Sequence, residues 1–114
     1  MPNSKVQKGK KLENYVVEQI REKGLDPDAY RSHGSGNEKE EKRDIRTTLK
    51  VLEKSAGIEC KNHKVLKIPD WWKQTLRLEE RGKEPILIFK ENRKPMKDTV
   101  ALIKLDTLLN LLRK

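Results

Sequence analysis

The sequence has one cysteine, few aromatic residues and no long run of apolar residues. The lone thiol of Cys60 cannot form an internal disulfide, which fits a reducing compartment. No apolar run approaches the roughly 20 residues that a membrane-spanning helix needs. The first residues also lack the apolar segment of a signal peptide. These absences predict a cytoplasmic protein.

Apolar residues make up only 33% of the 114 residues, whereas charged residues make up 39%. A chain of this length forms one domain, and a small domain buries a low fraction of its surface. We therefore expect a small core and a tendency to self-associate.

The net charge of +9 indicates a polyanionic partner, although a merely soluble, lysine-rich protein is the simpler alternative. The basic residues are unevenly spread, and three separate clusters favour a charged groove. The clusters are Lys5, Lys8, Lys10 and Lys11, then Lys61, Lys64 and Lys67, and finally Lys90, Arg93, Lys94 and Lys97.

Apolar periodicity predicts the order αβββαββα, a mixed β-sheet flanked by helices in an α/β fold. Residues 1–9 are predicted to form a flexible basic arm, and residues 10–114 a single domain. The first helix is predicted at 10–23, ending at Gly24. The second is predicted at 69–81 with Asp70 as N-cap and Gly82 as its end, and the third has Asp106 as its predicted N-cap. Strands are predicted at 29–32, 44–52, 57–62, 85–90 and 99–104, with a polar loop after the first strand.

An acid and a lysine stand side by side in the third predicted strand. Side chains alternate along a strand, so Glu59 and Lys61 share one face while Ile58 and Cys60 point into the core. A carboxylate can hold a hard divalent cation, and an ammonium can steady a water or a phosphate oxygen. A preceding antiparallel strand would bring Asp44 to the same point. This grouping suits hydrolysis of a phosphodiester.

Glu13 lies on or beside the apolar stripe of the first helix, at helical spacing from Val16, Val17 and Ile20. A carboxylate there is costly unless it is paired or binds a metal. The alternative is that Glu13 lies at the edge of the stripe, reaches solvent and pairs with Lys10. The periodicity leaves both open.

Two further groups of apolar residues have open roles. Trp71 and Trp72 lie about 100° apart on the second helix, so we expect one to be packed and the other to be available for a subunit interface or DNA. Leucines in the third helix form a stripe that serves either the core or a dimer interface. They are Leu105, Leu108, Leu109 and Leu112.

The helix with Glu13, the GSG loop, Asp44 and the Glu59-Cys60-Lys61 strand together resemble the PD-(D/E)XK nucleases, which have the restriction-endonuclease-like fold. The chain is most similar to the archaeal-type Holliday junction resolvases, which also occur in phages. The resemblance implies that Mg²⁺ or Mn²⁺ is bound by Glu13, Asp44, Glu59 and the backbone carbonyl of Cys60. It also implies catalytic roles for Lys61, Gln74 and Ser35.

The same resemblance and the basic clusters define a set of DNA contacts. Ser35 lies in a loop whose glycines either let backbone N–H groups approach a phosphate or only connect two strands. His63 either touches a phosphate or is a solvated loop residue. The expected contacts are Lys5, Lys8, Lys10, Lys11, Arg31, His33, Ser35, Lys64, Lys67, Arg93 and Lys94.

The sequence therefore predicts a magnesium-dependent endonuclease that cleaves four-way DNA junctions as a homodimer, with no membrane association. If a phage encodes it, it acts in the host cytoplasm. One alternative is a sequence-specific or nicking nuclease of the same fold. An alternative of another class is a basic nucleic-acid-binding module without catalysis.

Overall fold

A computed structural model describes residues 4–32 and 45–113, with side chains from residue 8. Helix α1 spans Ser4–Glu22 and so begins six residues before the predicted start. The prediction of an arm over residues 1–9 is wrong for residues 4–9, which are helical. Lysine and glutamine are good helix formers, and the helix tolerates the cost of Gly9.

Helix α1 ends as its sequence predicts, at a glycine in the left-handed region. Gly24 has φ of 72°. The N–H of Gly24 donates to the Arg21 carbonyl at 3.0 Å, and the N–H of Leu25 donates to the Ile20 carbonyl at 3.1 Å. These two bonds satisfy carbonyls that the last helical turn leaves without partners.

The described residues form one six-stranded sheet with three α-helices, which confirms the mixed α/β fold. The strands are β1 (Tyr30–Arg31), β2 (Ile45–Arg46), β3 (Lys50–Val51), β4 (Lys54–Lys61), β5 (Lys83–Phe89) and β6 (Val100–Leu102). The remaining helices are α2 (Ile68–Leu76), α3 (Leu105–Leu112) and the 3₁₀ helices Arg77–Arg81 and Met96–Asp98. The predicted order holds, except that the predicted strand 44–52 is divided into β2 and β3.

A buried carboxylate causes this division. Asp26 accepts hydrogen bonds from the Thr47 hydroxyl at 2.5 Å and from the Thr48 N–H at 2.9 Å. The Thr47 hydroxyl in turn accepts from the Leu49 N–H at 3.0 Å. Side chains thus accept the N–H groups of Thr48 and Leu49 between β2 and β3, while the Leu49 carbonyl still accepts from the Ala56 N–H of β4 at 2.8 Å. The hydrogen bond from Thr47, and then that from Thr48, hold the pKa of the Asp26 carboxyl below its usual value.

The strand order is β1-β2-β4-β5-β6, with β3 pairing the start of β4. Only β4 and β5 are parallel among these described pairs, and α2 with the following 3₁₀ helix connects them. Glu59 is opposite Leu87 and Lys61 is opposite Phe89 in their register. The carboxyl ends of β4 and β5 therefore lie at the same edge of the sheet.

The core lies between α1 and one face of the sheet. Leu12, Val16, Val17 and Ile20 of α1 pack in one buried cluster, whose members from β4 are Ala56, Ile58 and Cys60. The other face is covered by Trp71 of α2 and by Leu78 of the 3₁₀ helix, both buried. Trp71 also contacts Phe89 of β5, with ring centroids 6.4 Å apart.

The predicted N-caps of α2 and α3 are wrong. Lys67 and Lys104 occupy the N-cap positions, whereas Asp70 and Asp106 lie inside the first helical turns. An acidic side chain is favourable there because it faces the positive end of the helix dipole. The predicted end of the second helical segment is confirmed, since Gly82 is left-handed with φ of 74°.

The leucine stripe of α3 does not pack into the core of the chain. Its four members are exposed by 40–70%, so that alternative is wrong. The buried residue of this helix is Thr107, whose hydroxyl donates to the Glu84 carboxylate at 2.9 Å.

Gly57 is a position where we expect substitution to lower the stability of the fold. A Cβ added there would lie 2.9 Å from Leu78 Cδ1 and 3.0 Å from Lys83 Cβ. Gly57→Ala should lower the free energy of unfolding by about 1–3 kcal/mol, the usual cost of overpacking. The matched control is Gly9→Ala, whose Cβ meets nothing within 4 Å and should stabilise α1 by about 0.5–1 kcal/mol. Urea unfolding measures both, and equal effects would contradict the close contact at Gly57.

Asp26→Asn should lower the free energy of unfolding in a pH-dependent way. Because folding lowers the pKa of Asp26, its carboxylate stabilises the fold fully above the unfolded value of about 3.9. The difference between the parent and the variant should shrink as the pH falls through the folded pKa. Asp28→Asn, an exposed carboxylate two residues away, is the control and should have little effect. A difference that stays constant from neutral to acidic pH would refute this role for Asp26.

Candidate active site

The acid and the lysine of β4 lie where the strand alternation predicts. Ile58 and Cys60 are buried in the α1 core, whereas Glu59 and Lys61 are half-buried on the opposite face. Cys60 is buried and in no disulfide, which confirms it as a small core residue. β4 is held between β2 and β5, so both neighbours fix the direction of the Glu59 and Lys61 side chains.

Three predicted site residues lie outside the described residues: Asp44, His33 and Ser35. The described residue next to Asp44 in sequence is Ile45, which pairs with Ile58. Ile58 is in turn next to Glu59. The pair that joins β2 to β4 is therefore one residue away from Glu59.

Glu13 is paired with Arg31, whereas the alternative position at the edge of the stripe predicted a pair with Lys10. Its Oε1 lies 3.4 Å from Nη1 of Arg31 on β1, and the Glu13 side chain is 16% exposed. The pair fits the expectation that a carboxylate beside the apolar stripe needs a partner. The helical period could not identify Arg31, because this residue comes from a separate strand.

The oxygen donors of Glu13 and Glu59 suit a hard divalent cation. Among residues 4–32 and 45–113, however, no three His, Cys, Asp or Glu side chains are grouped closely enough to hold a metal. Glu13 comes from α1, which packs on the Cys60 face of the sheet, while Glu59 faces the other side. The donor chemistry thus fits a metal, and a ligand set beyond Glu59 remains a prediction.

Aromatic packing fixes the segment after β4. The ring of His63 lies 5.3 Å from that of Trp71, which is buried as expected for one of the two tryptophans. Trp72 is half-buried. Gln74 is exposed, one turn after Trp71 on α2, so its side chain is accessible to a substrate.

The three basic clusters of the sequence contribute to one pocket of about 590 Å³. Its basic lining residues are Lys8, Lys11, Lys64, Lys90 and Arg93. Of the other expected DNA contacts, Lys10, Lys67 and Lys94 are exposed elsewhere, and Arg31 pairs with Glu13. Lys5 lies in α1.

Two asparagines of this pocket were not predicted as functional residues, and Lys90 was predicted only as a member of a basic cluster. Asn62 and Asn92 line it, and Lys90 is only 6% exposed. A signal existed for Asn62, because the two-residue alternation after Cys60 places it on the buried face. No sequence pattern marks Asn92.

A model of the family described as "Phage putative PDDEXK endonuclease" matches residues 3–114. The chain significantly matches no curated protein and no solved structure. Within the described residues, no helix is long and apolar enough to cross a membrane.

Proposed function

Because the chain belongs to this phage PDDEXK endonuclease family, we propose that it is a metal-dependent DNA endonuclease that resolves four-way junctions. The observation that carries the proposal is the Glu59 and Lys61 pair at the carboxyl end of β4. Asn62, the next residue but one after Cys60, lines a pocket with five basic side chains. An acid, a lysine and concentrated positive charge at one sheet edge suit a phosphodiester substrate. As a phage protein, it would act in the host cytoplasm.

Asp44, Glu59 and the Cys60 carbonyl would hold Mg²⁺ or Mn²⁺, which prefer such oxygen ligands. Glu13 would complete this set only if its side chain reached the Glu59 side of β4, since α1 packs on the Cys60 face. The bound ion would supply an activated water and neutralise charge on the scissile phosphate. The pairing of Ile45 with Ile58 supports the inclusion of Asp44, since in an antiparallel pair the residue before Ile45 would lie opposite the residue after Ile58, which is Glu59. The Glu13 ligand would have to exchange or share its contact with Arg31.

Lys61 would stabilise the transition state directly. Its side chain shares the face of Glu59, and its ammonium carries a fixed positive charge where negative charge grows on the phosphate oxygens. Gln74 and Ser35 would orient the attacking water or a phosphate. Both can donate and accept hydrogen bonds.

A four-way junction is the substrate that this proposal favours, as the sequence resemblance implies. Recognition would depend on DNA shape and phosphate contacts. A homodimer fits this substrate, since two sites related by a two-fold axis can cut opposing strands. The exposed leucines of α3 support a second copy of the chain as their partner, because burying them would remove apolar surface from water.

Removing either member of the acid–lysine pair should impair cleavage. Glu59→Ala, and likewise Asp44→Ala, should abolish Mg²⁺-dependent cleavage of a synthetic four-way junction and leave binding largely intact. Lys61→Ala should lower the rate by roughly 10²–10³, the usual effect of losing one preorganised charge. The matched controls are Glu53→Ala and Lys54→Ala, exposed residues just before and at the start of β4. Normal turnover of Glu59→Ala would refute the site, and no metal-dependent cleavage by the parent would favour a non-catalytic binding module.

The protein should be a dimer that makes paired cuts. Analytical ultracentrifugation should show a dimer, and Leu108→Glu with Leu112→Glu should shift it to a monomer. On a cruciform plasmid, paired cuts give linear DNA and single nicks give open circles. The dimer should give linear DNA and the monomer open circles. Preferential cutting of linear or flap DNA would instead indicate a sequence-specific or nicking nuclease.

A further inference from the structure

The pocket of five basic residues lies on the opposite side of β4 from the acid–lysine pair. Asn62 follows the alternation of Ile58 and Cys60, and thus belongs to the α1 face. Lys61 points to the other face. A phosphate held in this pocket is therefore a different one from a phosphate beside Lys61.

The pocket is built by a loop that a buried lysine holds in place. Lys90 follows β5, and its Nζ donates to the Lys94 carbonyl at 2.7 Å and to the Glu91 carbonyl at 3.2 Å. These bonds close the turn that carries Asn92 and Arg93. Arg93 itself has φ of 69°, an unfavourable conformation for a side chain of this size. The loop thus keeps Arg93 at the pocket at a cost in backbone strain.

The same loop is tied to α1 and to the end of β4. Lys8 Nζ donates to Asn92 Oδ1 at 2.7 Å, and Asn62 Nδ2 donates to the Lys8 carbonyl at 3.3 Å. Three separate segments are therefore fixed around one pocket. None of its described lining residues is acidic, so the charge of its lysines and Arg93 is not balanced within it.

A buried polar atom in the pocket lacks a partner. Asn62 is 6% exposed, and among the described residues nothing hydrogen-bonds to its Oδ1. Buried polar atoms are normally satisfied by protein, water or ligand. A lysine ammonium or a water shared with a bound anion can donate to Asn62 Oδ1 and to the anion together.

We propose that this pocket binds one phosphate of the DNA strand, separate from the phosphate that is cleaved. The inference rests on the proposed function only in taking DNA as the ligand. A phosphate bound here fixes the strand relative to Lys61, because Asn62 is the next residue of the chain. Lys90 acts as a positioning residue, since it holds the loop that presents Arg93.

The test compares two triple variants that lose the same charge. The pocket variant is Lys11→Gln, Lys64→Gln and Arg93→Asn, and asparagine tolerates the left-handed conformation. The control is Lys50→Gln, Lys54→Gln and Lys73→Gln, all exposed and outside the pocket. Affinity for a fluorescent four-way junction is measured by anisotropy in EDTA, so that cleavage plays no part. At 0.1 M salt the pocket variant should bind about tenfold more weakly than the control, the scale of one phosphate contact.

A second measurement identifies the phosphate. Single neutral methylphosphonate linkages are placed along the junction strand, away from the cut position. One of them should weaken binding by the parent and have no further effect on the pocket variant. Equal affinities of the two triple variants, or the same methylphosphonate profile for the parent and the pocket variant, would overturn the proposal.

Further measurements distinguish loss of the phosphate site from loss of folding and from failure of the nuclease proposal. Thermal melting checks that each triple variant is folded, and the single change Lys64→Gln with its rescue by Lys64→Arg repeats the test with less disturbance. Rescue by arginine is expected because it restores the charge, and its failure would count against the pocket. A parent that binds through the pocket and never cleaves would refute the nuclease and leave the phosphate site intact.

Discussion

The parallel pairing of β4 with β5 is the constraint on which the candidate site depends. It brings the carboxyl ends of two strands to one edge, so the residues that follow each strand meet there. In open sheets with parallel strands this edge is the usual place for a ligand. The pairing needs a crossover, and α2 with the 3₁₀ helix supplies it and covers the Lys61 face with Trp71 and Leu78.

Positive charge is divided between the two sides of this edge. Lys61 shares one face of β4 with Glu59, whereas the pocket on the α1 face collects five basic side chains. Under the proposed function, a strand of DNA that crosses this edge would be cleaved on one side and anchored on the other. The residues that set the cleavage rate would then be separate from those that set the affinity.

Local patterns predicted the elements well, because helical and strand periods follow from covalent geometry. They predicted the faces of Ile58, Cys60, Glu59 and Lys61, and the glycine ends at Gly24 and Gly82. Contacts between distant segments were beyond the sequence. The partner of Glu13 on β1, the break that Asp26 makes near Thr47 and the burial of Lys90 each depend on a residue far along the chain or on its packing. The sequence predicted that the three basic clusters form a charged groove. It could not predict that this groove lies after β4 and β5.

The single thiol, that of Cys60, belongs to the candidate catalytic strand itself and is buried in the α1 core. A thiol must become exposed and ionised before it reacts with a disulfide reagent. Labelling of Cys60 would therefore occur only in molecules whose α1 has separated from the sheet. The labelling rate measures how often this local opening occurs. The labelling rate of Cys60 would thus report how rigidly the candidate active-site strand is held against α1. DNA that spans α1 and the β5 loop would lower this rate.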